Sequence, residues 1–590
     1  MLITHLQDSD QSIQMSTIAP TTDCELTWTR VEQWIEWCAP GELERIRSSH
    51  SLIEHSLIED PKKLSTLEPE SPPAEDSEHP SWLEDHVCNT SIIEKKLPTR
   101  LIHIGYGTED VRLCLTKDLP GGDVQYLTLS HCWGKIAMPV VTTKENVDQM
   151  LKRIPVQALT KTLQDAIVIT RRIGLRYLWI DSLCILQGDH DDWLNEAAFM
   201  GHFYAGGFLN IVACDAPDGT TGCFFDRSVE KPNGFRVMAR ADRHSDERTL
   251  WNCMPHKLAK QAILHCETSK RAWCFQETFM APRSVYFSKS QLFWECRGFR
   301  ACESFPQGIN VLKAPLRQTP VTMWKRLLNE NICYAWFDLI TDYSLCNATY
   351  GKDRLIAFKG IAEAYCKAFG LHKAFSLEGQ RQPHNYVAGL WRQKMEHQLL
   401  WFVDSHRKPR NLSLRSPSWS WASVDGLVHL PGEKYSWPKI ECIVGIVTVN
   451  ICANDQYGEV NGGTMELKCK PLILVGVNNK MELVVEGVNG STIIHSIVYP
   501  DVEPSGFNDG FLFALRAWEL SDFEQWGLLL KEDIGTGLFR RVGAYEMNVE
   551  RGVDMEDARS IMHAGATWTS NIAGGYHPWG GWKLHTIMVI

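Results

Sequence analysis

The sequence has no surplus of positive charge: 60 Lys and Arg stand against 71 Asp and Glu, a formal net charge of -11. Sequence-independent binding to a phosphate backbone needs clustered cations that release counterions, so nucleic acid is not an expected partner. No run approaches the roughly 18 apolar residues of a membrane helix, and no membrane span is expected. The opening stretch MLITHLQDSDQSIQM has no basic lead into an apolar core and no small-residue cleavage site, which argues against a secretory leader. Among 19 cysteines no pair is spaced Cys-x-x-Cys, and His and Cys do not recur at zinc-ligand spacings. The thiols therefore read as reduced and mostly buried, the location as cytoplasmic, and no metal site is expected. Without a secretory route, the N-x-S/T triplets at Asn89, Asn347, Asn411 and Asn489 read as chance matches. A P-loop signature and a G-x-S-x-G elbow are also missing, which leaves out a P-loop NTPase and a serine hydrolase.

What is present is a chain of 590 residues, too long for one core, with 44% hydrophobic and 22% charged residues and 22 tryptophans. That composition is globular, and most of the tryptophans read as core anchors. Composition divides the chain into a partly helical N-terminal segment (1–65), an acidic Pro/Ser-rich linker (66–98), an α/β region (99–305), a helical, aromatic-rich region (306–415) and a β-rich C-terminal domain (416–590). No solenoid or propeller period recurs.

Within 99–305, strand and helix signals alternate. Residues 124–129 read as a strand, followed by a turn over Ser130, His131, Cys132 and Trp133 closed by Gly134. Leu159, Leu163, Ala166, Ile167 and Thr170 recur at helical spacing, with Thr160 or Thr162 as cap and Gly174 past the end. Residues 176–180 form a short apolar strand stopped by Asp181. A second helix carries Trp193, Ala197, Met200 and Tyr204 on one stripe, is opened by Asp189, Asp191 and Asp192, and ends at Gly206 and Gly207. Residues 208–213 are the next strand, and 284–287 with 291–296 read as a hairpin. Repeated strand–helix–strand units predict a largely parallel sheet, whose ligands bind at the carboxyl ends of the strands. The turn after residue 129 and the loop at Asp181 both sit there.

Three blocks in this region, YLTLSHCWGK (126–135), RYLWIDSLCILQGDHDDWLNEAAFM (176–200) and SKRAWCFQETFMAPRSVYFSKSQLFWEC (269–296), resemble in order and spacing those of the fungal heterokaryon incompatibility (HET) domain. TKTLQDAIVITRRIG and, downstream, YGKDRLIAFKGIAEAY, YVAGLWRQKM and SPSWSWASVDG extend the resemblance over roughly 100–425. Gly188 departs from it, since relatives commonly carry an acid there. The resemblance implies self/non-self recognition between hyphae and the triggering of cell death, with an incompatibility partner protein or self-association. It also implies a TIR/flavodoxin-like, mostly parallel sheet with flanking helices. Some TIR domains cleave NAD⁺ with a glutamate on a helix opened by a tryptophan, and Trp193-x-x-Glu196 matches that arrangement. NAD is then a candidate substrate rather than a bound cofactor, and NAD glycohydrolase a candidate activity.

Each candidate residue has two readings. Glu196 is the first choice for stabilising an oxocarbenium-like ribose, or a solvated glutamate favoured by the helix dipole. Asp181 binds ribose hydroxyls and assists catalysis, or caps its turn. Ser130, His131, Trp133 and Gly134 present a phosphate-binding bend, or a structural one. Trp193 stacks on a base, or is core. Arg271, in the third block with Trp273, Gln276 and Glu277, binds a phosphate or pairs with an acid of the second block. Asp181, Glu196 and the 130–134 bend are expected to line one hollow. Two further classes stay open: a non-enzymatic recognition module built on a buried charge network, and an enzyme of secondary metabolism that holds a small apolar substrate among the aromatics of 324–425.

Overall fold

The computed structural model describes residues 2–4, 18–48, 93–105, 110–119, 124–227, 235–240, 248–254, 263, 266–308, 332–371, 376–377, 380–381, 385–408, 416–431, 439–440, 442–451, 457–469, 472–487, 490–494, 496–501, 512–521, 524–533, 536–548 and 585–590. Most of the 66–98 linker lies outside them. The chain divides into two compact units, Met1–Thr322 and Met323–Ile590.

The first unit is built on an eight-stranded sheet. In chain order its strands are β1 (Arg100–His103), β2 (Arg112–Leu115), β3 (Tyr126–Ser130), β4 (Tyr177–Trp179), β5 (Leu209–Ala213), β6 (Arg283–Phe287), β7 (Phe293–Cys296) and β8 (Arg300–Cys302). Their spatial order is β8-β7-β6-β5-β3-β4-β1-β2. The four central strands, β4, β3, β5 and β6, run parallel. Antiparallel pairs extend the sheet at both edges, β1 with β2 and the β6–β7–β8 meander. The parallel character therefore belongs to the centre alone. Every residue of β3, β5 and β6 is buried, as expected of parallel strands covered on both faces.

Helix α1 (Glu25–Cys38) precedes the sheet and buries Val31, Trp34, Ile35 and Cys38. Trp34 packs its ring 5.9 Å from that of Trp294 and donates to the Pro306 carbonyl, so the N-terminal helix is part of this unit's core. A buried Arg227–Glu303 ion pair at 2.6 Å, with Glu303 also accepting from the Ala19 amide, holds the lead-in to that helix. Helix α2 (Lys161–Ile173) buries Leu163, Ala166, Ile167 and Thr170 as the spacing predicts, and ends at Gly174 in the left-handed region, φ 95°. After β4 the chain makes the short helix α3 (Asp181–Cys184), where a loop was expected. Helix α4 (His190–Ala197) is capped by Asp189, whose side chain accepts from the amides of Asp191 and Asp192. Helix α5 (Met200–Gly206) leads into β5, and helix α6 (Ala272–Met280) leads into β6.

The second unit begins with the helices Ile332–Ser344, Asp353–Ile356 and Lys359–Phe369. Their aromatics are core. Trp336 lies 5.3 Å from Phe358, 4.8 Å from Tyr365 and 5.3 Å from Trp391, and Trp401, Trp419 and Trp421 are fully buried. The aromatic wealth of 324–425, read from sequence as lining for an apolar substrate, is in these residues spent on packing. An eleven-stranded, mainly antiparallel sheet follows, running in space from Cys442–Ile451 to Gly490–Ile494. Met465, Leu467 and Cys469 are buried at alternate positions of Val460–Cys469, the period of a strand with one face on a core.

Candidate functional site

Four of the residues singled out from sequence meet at the carboxyl ends of β3 and β4. Asp181, the first residue of α3, accepts from the Trp133 indole N–H at 2.9 Å and from the Ser182 amide at 2.7 Å. His131 Nδ1 lies 3.9 Å from Asp181 Oδ1. Arg271, at the start of α6, donates to the His131 carbonyl at 2.5 Å and interacts electrostatically with Asp181. Three elements distant in sequence thus converge on one point, because parallel strands deliver their carboxyl ends to the same edge and α6 crosses that edge. Burial lowers the His131 pKa, against the opposing pull of Asp181.

Beneath this group lies a residue that was noted in the third block and given no role. Glu277, on α6, is buried, and its carboxyl is pushed up to about 7, chiefly by desolvation and further by Asp181. The hydroxyls of Ser130 and Tyr204 and the charge of Arg271 act in the opposite direction. Ser130 exchanges hydrogen bonds with Asn210 across the β3–β5 pair, at 3.0 Å from the Asn210 amide, and Thr128 donates to the same Asn210 at 3.0 Å. A polar ladder therefore runs through the sheet to the site. Two atoms in the group, His131 Nε2 and Glu277 Oε2, are buried with no hydrogen-bond partner among the described residues. The signal in the sequence was an acid inside a mostly apolar helix, AWCFQETFM.

The remaining candidates separate. Trp193 is half-buried, stacks on His190 and meets Trp273 edge-on at 6.3 Å, which places it beside α6. Glu196, on the same helix, belongs to another group: Thr99 donates to its Oε1 at 2.5 Å, and Arg100 and Asp192 are its charged neighbours. Arg100 itself pairs with Asp192 at 2.5 Å. Burial raises the Glu196 pKa. The residues expected to line a single hollow fall into two sets of contacts: Asp181 is hydrogen-bonded by Trp133, with His131 3.9 Å away, and Glu196 is hydrogen-bonded by Thr99. Although residues three apart are neighbours on a helix, Trp193 packs on Trp273 of α6 while Glu196 bonds Thr99, just ahead of β1. Gly134 has φ 74°, and a Cβ there would stand 2.3 Å from Asp218 Cβ. Its close approach is to the chain's own turn.

The family described as Heterokaryon incompatibility protein (HET) matches residues 126–277. These residues are a HET domain. Ser130, His131, Trp133, Asp181, Glu196, Arg271 and Glu277 fall within it, while Thr99 and Arg100 precede it. No curated protein and no solved structure matches the chain. Within the HET domain Cys132 and Cys184 are buried thiols with pKa values raised by desolvation, Cys132 to about 11, the opposite of an activated nucleophile. Among the described residues no group of three or more His, Cys, Asp or Glu is placed to hold a metal ion, and no helix is long and apolar enough to cross a membrane.

Proposed function

We propose that the protein is an incompatibility effector whose HET domain triggers cell death by acting on a ribosyl compound at the Asp181 centre. Heterokaryon incompatibility is the role of the family matched at 126–277. The observation that carries the chemical part is the meeting of Asp181, His131 and Arg271 at the carboxyl ends of parallel strands. In chain order the central strands stand second, first, third, fourth, the flavodoxin-like order, and ligands of such sheets bind where the order reverses, here between β3 and β5. That order supports the TIR-like reading, in which NAD⁺ is the candidate substrate. Asp181, partly open to solvent, is the carboxylate that faces a developing positive charge on the ribose. Arg271 and the His131 ring position the ligand, and the half-buried Trp133 and Trp193 offer ring faces at the rim.

The test is expression in a fungal host at high level, beside Asp181→Asn at matched abundance. Growth arrest with a fall in cellular NAD⁺ for the parent, and neither for the variant, is the expected result. Unimpaired growth with undiminished NAD⁺ would sink the reading. Arrest by both proteins would instead support a non-enzymatic module, a reading favoured by the depth at which His131 and Glu277 lie.

A further inference from the structure

We propose that Glu277 is the general acid of a two-carboxyl centre completed by Asp181, and that the substrate class is a ribosyl glycoside whose leaving group departs only with a proton. This rests on the reading of the Asp181 centre as a site for ribosyl compounds, and adds to it a second catalytic residue and a reaction type.

The two carboxyls are held in opposite ways. Asp181 has both oxygens engaged as acceptors, Oδ2 by the Trp133 indole and Oδ1 by the Ser182 amide, and its side chain is 26% exposed. A carboxyl so placed is held in orientation and is open to whatever enters from solvent. Glu277 is 5% exposed and has an oxygen, Oε2, with no hydrogen-bond partner among the described residues. Burial disfavours the ionised form, against the Ser130 and Tyr204 hydroxyls that hydrogen-bond the carboxyl, so the protonated acid is well populated near neutrality. The shift of its pKa to about 7 agrees. A buried, protonated carboxyl together with a partly exposed one whose oxygens accept hydrogen bonds is an arrangement that glycosidic cleavage uses: one gives a proton to the departing atom, the other faces the positive charge left on the sugar. The second orphaned atom, His131 Nε2, belongs to a ring whose Nδ1 faces Asp181. Its free nitrogen is a contact for a sugar hydroxyl.

The step balances as a hydrolysis. As the bond from the anomeric carbon to the base nitrogen breaks, its electron pair goes to the base and the Glu277 proton is added there. Asp181 faces the oxocarbenium-like sugar. Water then adds to the anomeric carbon and returns a proton to the Glu277 carboxylate, giving free sugar, free base and the enzyme in its starting state. NAD⁺ differs in one respect: nicotinamide leaves neutral without gaining a proton, so Glu277 is dispensable for it.

The test uses the purified full-length chain with adenosine, with p-nitrophenyl riboside and with NAD⁺. The expected result is release of adenine by the parent protein and a loss of roughly 10²–10⁴-fold in Glu277→Gln, the range for removing a general acid. Cleavage of the p-nitrophenyl riboside, whose leaving group needs no proton, persists in that variant and is lost in Asp181→Asn. Adenine release at the parent's rate by Glu277→Gln overturns the role of Glu277 and leaves the Asp181 centre standing. Nicotinamide release without adenine release by the parent overturns the substrate class. No turnover of any of the three removes the ribosyl reading itself. Should Glu277→Gln fail to fold, the pH profile of the parent decides: adenine release falls as pH rises through about 7, and a profile flat from pH 5 to 8 overturns the proposal. Asp181, Arg271, His131, Ser130 and Tyr204 are the groups facing Glu277 or sharing its charged neighbours that set where the fall lies.

Discussion

Trp133 donates its indole N–H to Asp181 Oδ2 at 2.9 Å, joining the bend after β3 to the first residue of α3. That bond turns a partly exposed aspartate into a fixed one. Trp133→Phe keeps a large ring and removes the donor. The expected cost is about 1 kcal/mol, below the range for a fully buried bond to a charged group because Asp181 is open to water. Calorimetry of the unit Met1–Thr322 reads the stability, and killing at matched expression should fall further than that small loss explains. Unchanged killing would show that Asp181 needs no orientation.

Glu277 makes stability depend on pH in a calculable direction. Its pKa in the folded chain is raised from 4.5 to about 7 by burial, with Asp181 adding and Ser130, Arg271 and Tyr204 opposing. The folded state then binds the proton more tightly than the unfolded one, so the stabilisation is complete below about 4.5 and is lost as pH rises through about 7. Relative to Glu277→Gln, which does not titrate, the parent should lose about 3 kcal/mol across that window. His131, lowered by burial, works in the opposite sense, but it is present in both proteins and largely cancels in the difference. Paired denaturation curves at pH 4.5 and 8 make the comparison, and a constant difference would mean that Glu277 is not desolvated.

Gly134 tests whether the bend is shaped by the chain or by a ligand. Alanine there must adopt φ 74° and place its Cβ 2.3 Å from Asp218 Cβ. The left-handed conformation alone costs roughly 1–2 kcal/mol, and the collision adds to it. Gly134→Ala should therefore destabilise the first unit by about 2 kcal/mol or more. Adding Asp218→Gly removes the collision and leaves the conformational cost, so the double variant should recover only in part. Full recovery would place the whole effect in the contact.

These residues also show what the sequence made legible. Strand–helix alternation and the Thr160–Gly174 frame located the central strands and α2, because burial on both faces writes continuous apolar runs and helices write their ends. The edge strands β1 and β2 were not foreseen, since four-residue strands carry too little periodicity to read. Of this cluster, Asp181, His131 and Trp133 were named from their position at strand ends, and Arg271 from the third block of the resemblance. Glu277 was seen but left without a role, and Glu196 was favoured over it. Nothing local marks which face of α4 turns toward β1, and only the fold shows that α6 drives a carboxyl under the ends of β3 and β5.

Glu196 and Asp181 can be told apart by paired variants. Glutamine at 196 preserves the acceptor for Thr99, and because burial already raises the carboxyl's pKa, the amide replaces a group whose charge the site disfavours. Glu196→Gln should leave killing within a few-fold of the parent, while Asp181→Asn abolishes it. Glu196→Ala, which strands the Thr99 hydroxyl and opens space, should cost about 2–4 kcal/mol. Loss of killing in Glu196→Gln at an unchanged melting temperature would restore Glu196 as the catalytic carboxylate.

The second unit has its own buried charge, and it supplies a test that leaves the HET domain untouched. Arg541 is fully buried, pairs with the equally buried Asp501 at 2.8 Å, donates to the carbonyls of Leu399 and Trp401 and lies 3.4 Å over the Trp401 ring. Its guanidinium ties the strand Leu538–Asn548 to the segment before Phe402–Lys408. Asp501→Ala leaves the cation buried without its counter-ion, and the expected cost is about 3–5 kcal/mol. Replacing both partners, as Asp501→Leu with Arg541→Met, removes the desolvated charges together and should recover most of that loss. Calorimetry would show one transition moving, that of Met323–Ile590. Killing tested on the same variants then reports whether the second unit must be folded for the first to act. If killing survives when the second unit is unfolded at the assay temperature, the HET domain is sufficient, and the second unit serves recognition rather than toxicity.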